Sequence, residues 1–273
     1  MCGLAGFISF SPENNDNLVN TAKLMGESIF SRGPDDSGVW TDKNLSIAFS
    51  FRRLSILDLS EAGKQPMQSH SGRYLICFNG EIYNHLDLRL MLSKDKVWRG
   101  HSDTETVLEI IEKFGIEKAL EMFVGMFAFS IFDKKEKSLF LARDRMGEKP
   151  LYYGWTDKAF IFGSELKALK KYPGFDNAIS KKALANFLRY SYIPAPKSIY
   201  QNIYKLNPGS FIKINANQPS SREIYQKNYW NLSDVIEKNR NKIITDRDEA
   251  KNLIKDSLKK SVKRQMISDV PLG

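Results

Sequence analysis

The chain is poor in residues that would staple it or hold a metal: 273 residues carry 2 cysteines and 3 histidines. Two cysteines exclude a disulfide scaffold, and their thiols are expected to be reduced. The histidines, His70, His85 and His101, show no metal-ligand spacing, and no cysteine–histidine zinc pattern accompanies them, so no metal is expected. Long apolar runs are also missing. The longest mostly apolar stretch, residues 126–132, falls far short of the roughly 20 residues that span a bilayer. The start Met-Cys-Gly-Leu-Ala-Gly-Phe has neither the basic opening nor the apolar stretch of an export signal. These absences set the expectation of a cytoplasmic protein with no membrane partner.

What is present is an ordinary globular composition, 42% hydrophobic and 27% charged. Lys+Arg 41 against Asp+Glu 32 leaves a net charge of +9, which favours acidic partners without fixing a fold. Lys167, Lys170, Lys171, Lys181 and Lys182 read as a solvated face. They lack the interleaved aromatics of a single-strand binding surface, so no nucleic-acid partner is expected.

No internal repeat is found. Short apolar segments at 4–9, 45–51, 74–78, 127–132, 138–142 and 160–163 read as strands between turn residues. Lys-Lys-Glu-Lys joins the fourth and fifth as a hairpin, and Asn79-Gly80 carries a strong hairpin signal of its own. Helices are expected at 17–30, at 104–114 behind a Ser102…Glu105 capping box, at 182–190, and at 246–266 with Ala250, Leu253, Ile254, Leu258 and Val262 on one stripe. The pattern is α+β. After Leu169 turn residues multiply. The division expected is a domain over 1–215, a linker over 216–230, and the opening of an incomplete second domain over 231–273.

Three groups of residues carry possible chemistry. Removal of Met1 would leave the Cys2 thiol beside a free α-amine, whose reference pKa near 8 suits a base. Asn79-Gly80-Glu81 reads either as a tight turn or as an oxyanion hole, with a side-chain amide and a backbone N–H as adjacent donors. Arg53 and Asp103, taken together, suit a free amino acid: a guanidinium for an α-carboxylate and a carboxylate for an α-ammonium. Cys77, inside an apolar run, reads as a core thiol.

Motifs in order along the chain then carry a resemblance: MCGLAGF, RGPDDSG, RRLSILDLS, QPM, FNGEIYNH, SDTE, GMFAFSIFD, ARDRMGEKPLYY, FGSELKAL, YIPAPKSIY, KLNPGS and SVKRQMISDVPLG. The chain resembles the glutamine-hydrolysing asparagine synthetases, whose N-terminal half is a class II, N-terminal-nucleophile glutaminase. The resemblance implies a four-layer αββα sandwich with Cys2 as nucleophile and Asn79 and the Gly80 N–H as oxyanion hole. It implies Arg53 for the glutamine α-carboxylate, Asp103 and Glu81 for the α-amine, and a pocket wall of Leu54, Ile56 and Leu57. L-glutamine is the implied substrate, with no cofactor for its hydrolysis. ATP and Mg are implied only for a synthetase domain, the partner that would use the ammonia to amidate aspartate or a related carboxylate. The Ser-Gly-Gly-x-Asp-Ser loop that would hold pyrophosphate is expected after the point where this sequence stops.

Two further departures are Ser31 and Phe51, each where the family commonly has histidine. Neither position is a nucleophile or a substrate anchor, so tuning rather than loss is expected. Other readings are a different class II amidotransferase, such as a sugar-amidating enzyme of surface polysaccharides, and a non-catalytic glutamine-binding remnant. A homodimer is a further option.

Overall fold

The computed structural model describes residues 2–93 and 95–271. The expectations about Met1 and about the final Leu272-Gly273 lie outside these residues. In chain order the elements are β1 (Gly3–Ser9), α1 (Asn15–Glu27), β2 (Asp36–Asp42), β3 (Ile47–Arg53), β4 (Met67–Gln68), β5 (Tyr74–Ile82), α2 (His85–Arg89), α3 (Asp103–Phe114), α4 (Ile116–Met122), β6 (Gly125–Asp133), β7 (Ser138–Arg143), β8 (Tyr152–Trp155), β9 (Ala159–Gly163), α5 (Leu166–Leu169), α6 (Lys181–Tyr190), β10 (Ile203–Lys205), β11 (Ser210–Asn215), β12 (Tyr225–Asn228), α7 (Leu232–Asn239) and α8 (Arg247–Arg264).

The strands form two antiparallel six-stranded sheets, ordered β10-β8-β9-β1-β3-β2 and β12-β11-β7-β6-β5-β4. Alternation along the central strands sorts their side chains into layers. On β1, Leu4 and Ile8 enter the core between the sheets, with Ile47, Phe49 and Phe51 of β3 and Leu75 and Cys77 of β5. Ala5 and Phe7 point the other way, onto Leu18, Ala22 and Met25 of α1. On β5, Ile76 and Phe78 turn outward against Val107, Ile110 and Ile111 of α3. Three apolar layers therefore separate four structural ones, giving an αββα sandwich.

Asn79-Gly80 is not a hairpin turn. β5 runs unbroken through it, and all nine of its residues pair with β6, from Tyr74 opposite Asp133 to Ile82 opposite Gly125. Gly80 answers a close approach instead: a Cβ there would lie 2.2 Å from Met126 O and 2.6 Å from Phe127 Cα. The capping box at α3 forms by half. Ser102 Oγ accepts the Glu105 N–H (3.3 Å), but the Glu105 carboxylate accepts from the N–H groups of Arg99 and Gly100 at 3.0 and 3.1 Å. The Ser102 N–H goes to Asp58 Oδ2 at 3.3 Å.

The stretch 216–230, read as linker, holds a 3₁₀ turn (Pro219–Ser221) and the edge strand β12, paired with β11. α8 forms with Asp246 as its N-cap, yet its apolar stripe is open to solvent, with Leu253 47%, Ile254 61%, Leu258 61% and Val262 58% exposed.

Candidate active site

Strand parity builds the site. Cys2 precedes β1 by one residue and shares the parity of Leu4 and Ile8. Arg53 ends β3 with the parity of Phe49 and Phe51. Asn79 and Glu81 continue that of Leu75 and Cys77, and Met126, opposite Glu81, continues that of Ala128. All five thus belong to the faces that meet between the sheets, at the end where the apolar packing stops. A pocket of about 150 Å³ opens there.

Every residue to which the sequence reading gave a catalytic or substrate-binding role lines this pocket: Cys2, Arg53, Leu54, Ile56, Leu57, Asn79, Gly80, Glu81 and Asp103. The Leu54 N–H donates to Cys2 Sγ (3.4 Å), and the thiol reaches Leu54 O at 3.5 Å. Burial pushes the thiol above its ordinary pKa, while the bond from Leu54 pulls the other way. The residue needs a base at hand to become a nucleophile. Its carbonyl is held by Arg32 Nε at 2.8 Å, and Arg32 is paired in turn with Glu165 (2.9 Å).

Asn79 is 1% exposed, and its Nδ2 finds no hydrogen-bond partner among the described residues. A buried amide donor left open is costly unless something arrives to accept from it. Its strand is fixed from the side by Gln65, which lies opposite Phe78 if the β4–β5 register is extended. Gln65 uses its side chain for the missing rungs: Oε1 accepts the Phe78 N–H (2.6 Å) and Nε2 donates to Phe78 O (3.3 Å).

Charge of both signs faces the cavity. Arg53 is aimed by two carbonyls, donating to Ser60 O at 3.3 Å and to Asp58 O. Across from it Asp103, the first residue of α3, accepts the Ile82 N–H on Oδ2 at 2.8 Å. Burial pushes its carboxyl up to about 7 in spite of that bond, and the neighbouring Glu81 adds to the rise. Glu81 is itself raised by burial, with the charge of Lys149 opposing. Lys149 is buried in the same wall and lowered by burial, while Glu81 opposes that shift.

Residue chemistry alone did not flag Gln65, Asp58, Arg32 or Lys149, although each lies in a motif of the resemblance. Cys77, 0% exposed, sits in the core and lines no part of the pocket. Phe51 fills the inter-sheet core, and Ser31 lies exposed in the 3₁₀ turn Phe30–Arg32. The arrangement offers a thiol, an open amide donor, two cations (Arg53 and Lys149) and two carboxylates within one small cavity. That set matches a zwitterionic amino acid bearing a carbonyl at the end of its side chain.

The chain is also similar to known proteins over its whole length. A putative glutamine-hydrolysing asparagine synthetase 2 of Methanocaldococcus jannaschii is 38% identical over 295 residues, covering 100% of this chain and 54% of the relative. Asparagine synthetase 1 of Bacillus subtilis, also glutamine-hydrolysing, is 35% identical over 278 residues, covering 100% of this chain and 41% of that one. The chain thus spans about half the length of the curated relatives it matches. Among solved structures, the glutamine phosphoribosylpyrophosphate amidotransferase of B. subtilis superposes with a TM-score of 0.60 at 18% identity, over 84% of this chain and 49% of that one. This likeness bears on the fold alone, and it is the layered sandwich described above. The sequence profile of the glutamine amidotransferase domain matches residues 1–230. The chain therefore belongs to the glutamine amidotransferase family.

Proposed function

We propose that the chain hydrolyses L-glutamine to glutamate and ammonia at Cys2. The observation that carries this reading is the buried Nδ2 of Asn79, without a hydrogen-bond partner among the described residues, in the same pocket as the thiol. Arg53 holds the α-carboxylate, and Asp103 with Glu81 holds the α-ammonium, which leaves the side-chain amide directed at Sγ. The thiol attacks the amide carbon and its proton passes to the α-amine of Cys2, once Met1 has been removed. The Asn79 amide and the Gly80 N–H stabilise the oxyanion. The C–N bond breaks, the amine returns its proton to the leaving ammonia, and water hydrolyses the glutamyl thioester.

By likeness to the asparagine synthetases, the ammonia serves amidation of aspartate, or a related carboxylate, in a longer protein. ATP and Mg belong to that step and to residues outside this chain, so no step here runs through them. No helix among the described residues is long and apolar enough to cross a membrane, and we place the reaction in the cytoplasm.

The test is glutamate release from L-glutamine, with an intact-mass spectrum and a Cys2→Ala control. The expected result is turnover on a chain beginning at Cys2 and none in the variant. Turnover that survives Cys2→Ala, or no turnover on a chain shown to lack Met1, would overturn the reading.

A further inference from the structure

One residue from far along the chain takes two backbone groups of the loop that walls the pocket. Asp269 donates its N–H to Ile56 O at 3.0 Å. Its Oδ2 accepts the Asp58 N–H at 2.7 Å and also meets His101 Nε2 at 2.6 Å.

Asp58 is the hub of that loop. It is fully buried, and its backbone adopts a left-handed conformation (φ 57°) that a non-glycine residue keeps only when its surroundings hold it there. Its Oδ1 accepts from the Ser60 hydroxyl at 2.5 Å. Its Oδ2 accepts the N–H groups of His101 and Ser102, at 2.9 and 3.3 Å, at the entry to α3. Burial alone would raise this carboxyl, but the Ser60 hydroxyl and the His101 and Ser60 amides bring it below its ordinary pKa. The two carbonyls that aim Arg53 belong to Asp58 and Ser60. A path of direct contacts therefore runs from Asp269 through Asp58 to the Arg53 guanidinium. Ile56, held by the same aspartate, is itself part of the pocket wall.

We infer that Asp269 is a positioning residue for the glutamine pocket: by fixing Asp58 and Ile56 it holds Arg53 in place for the α-carboxylate. This rests on the proposed assignment of Arg53 and of glutamine. Asp269 lies outside the pocket lining, so it sets substrate affinity and leaves the bond-breaking step untouched. Removing its carboxylate uncaps the Asp58 N–H and loosens the loop. Asp269→Asn keeps one oxygen for that N–H while it removes the charge and turns the other oxygen into an NH2 donor.

The test is calorimetric binding of L-glutamine to the Cys2→Ala chain, alone and with Asp269→Ala or Asp269→Asn added. Turnover of the same two Asp269 variants is measured with Cys2 intact. Asp269→Ala is expected to weaken glutamine binding about five- to tenfold, the scale of one lost charge-assisted bond at a half-exposed site. Asp269→Asn is expected to restore most of that loss, with kcat within about twofold of the parent in both. Equal affinity in all three proteins overturns the inference while leaving the glutaminase reading intact. Loss of kcat at unchanged affinity also overturns it. Failure of the Cys2→Ala chain to bind glutamine at all removes the pocket assignment, and the inference with it.

Discussion

Residue chemistry gives the sharpest expectations. Asn79→Ala removes the open amide donor and leaves Arg53 and Asp103 in place. Its kcat is therefore expected to fall about 10²–10³-fold with KM little changed, read by steady-state glutamate release. Asp103 carries a pH dependence of definite sign. Its carboxyl is pushed up to about 7 when folded, against 3.8 for an ordinary aspartate. Between about pH 4 and pH 7 the native state thus keeps a proton that the unfolded chain has lost, and stability falls as pH rises through that window. Asp103→Asn, which still offers an acceptor to the Ile82 N–H, is expected to stabilise the chain at pH 8 by on the order of 1–3 kcal/mol in denaturant unfolding. The same variant is expected to lose glutamine binding. In the parent, only the ionised carboxyl pairs with an α-ammonium, so KM is expected to rise roughly tenfold per unit below about pH 6. A KM that is flat from pH 5.5 to 8.5 would contradict this. At this scale much of the candidate site was legible, because a thiol, an amide, a guanidinium and a carboxylate each advertise a chemistry. Gln65, Asp58 and Arg32 were not, because they work by holding backbone, and residue type does not reveal which backbone a side chain will hold.

Among elements, legibility followed position in the sheets. The segments read as strands are β1, β3 and β9 in one sheet and β5, β6 and β7 in the other, and each trio lies side by side at the middle of its sheet. Central strands are covered on both faces and show as apolar runs. β2, β4, β8, β10, β11 and β12 went unread: β2, β4, β10 and β12 are edge strands, β8 has only 4 residues, and Lys213 interrupts the apolar run of β11. The one reversal, Asn79-Gly80, comes from a dipeptide whose local preference is a turn but which tertiary pairing keeps extended. That reversal is testable. A methyl at Gly80 would press on Met126 O and Phe127 and push β5 from β6 at the level of Asn79. Gly80→Ala is expected to cost about 1–3 kcal/mol, measured as a lowered denaturant midpoint at constant slope, and to lower kcat as well. Substitution of Gly115, where a Cβ would meet nothing within 4 Å but φ is +80°, is the control for a purely conformational cost.

The whole molecule divides by burial. The sandwich closes with β12 and with Tyr229, whose hydroxyl donates to Arg143 O at 2.8 Å and whose N–H donates to Gly209 O at 2.9 Å. Beyond it, among the described residues, neither α7 nor α8 has a buried side chain. Val235 and Ile236 of α7 and Leu253, Ile254, Leu258 and Val262 of α8 all face solvent. Helices that bury nothing add little to the stability of the core, since helical stability in water comes mainly from packing an apolar face. A chain ended after Asn231 is therefore expected to unfold at nearly the same denaturant midpoint as residues 1–273. Exposed apolar stripes of this kind favour self-association, so sedimentation velocity is expected to show concentration-dependent association for 1–273 and a single monomeric species for 1–231. The shorter chain also lacks Asp269, and with it the hold on Asp58 and Ile56. Glutamine affinity should then drop as in Asp269→Ala while the fold persists, which would separate what the last forty residues do for the pocket from what they do for stability. A large loss of stability on truncation would mean instead that α8, through Arg264 against Asp87 and the tail against the pocket loop, braces the sandwich itself.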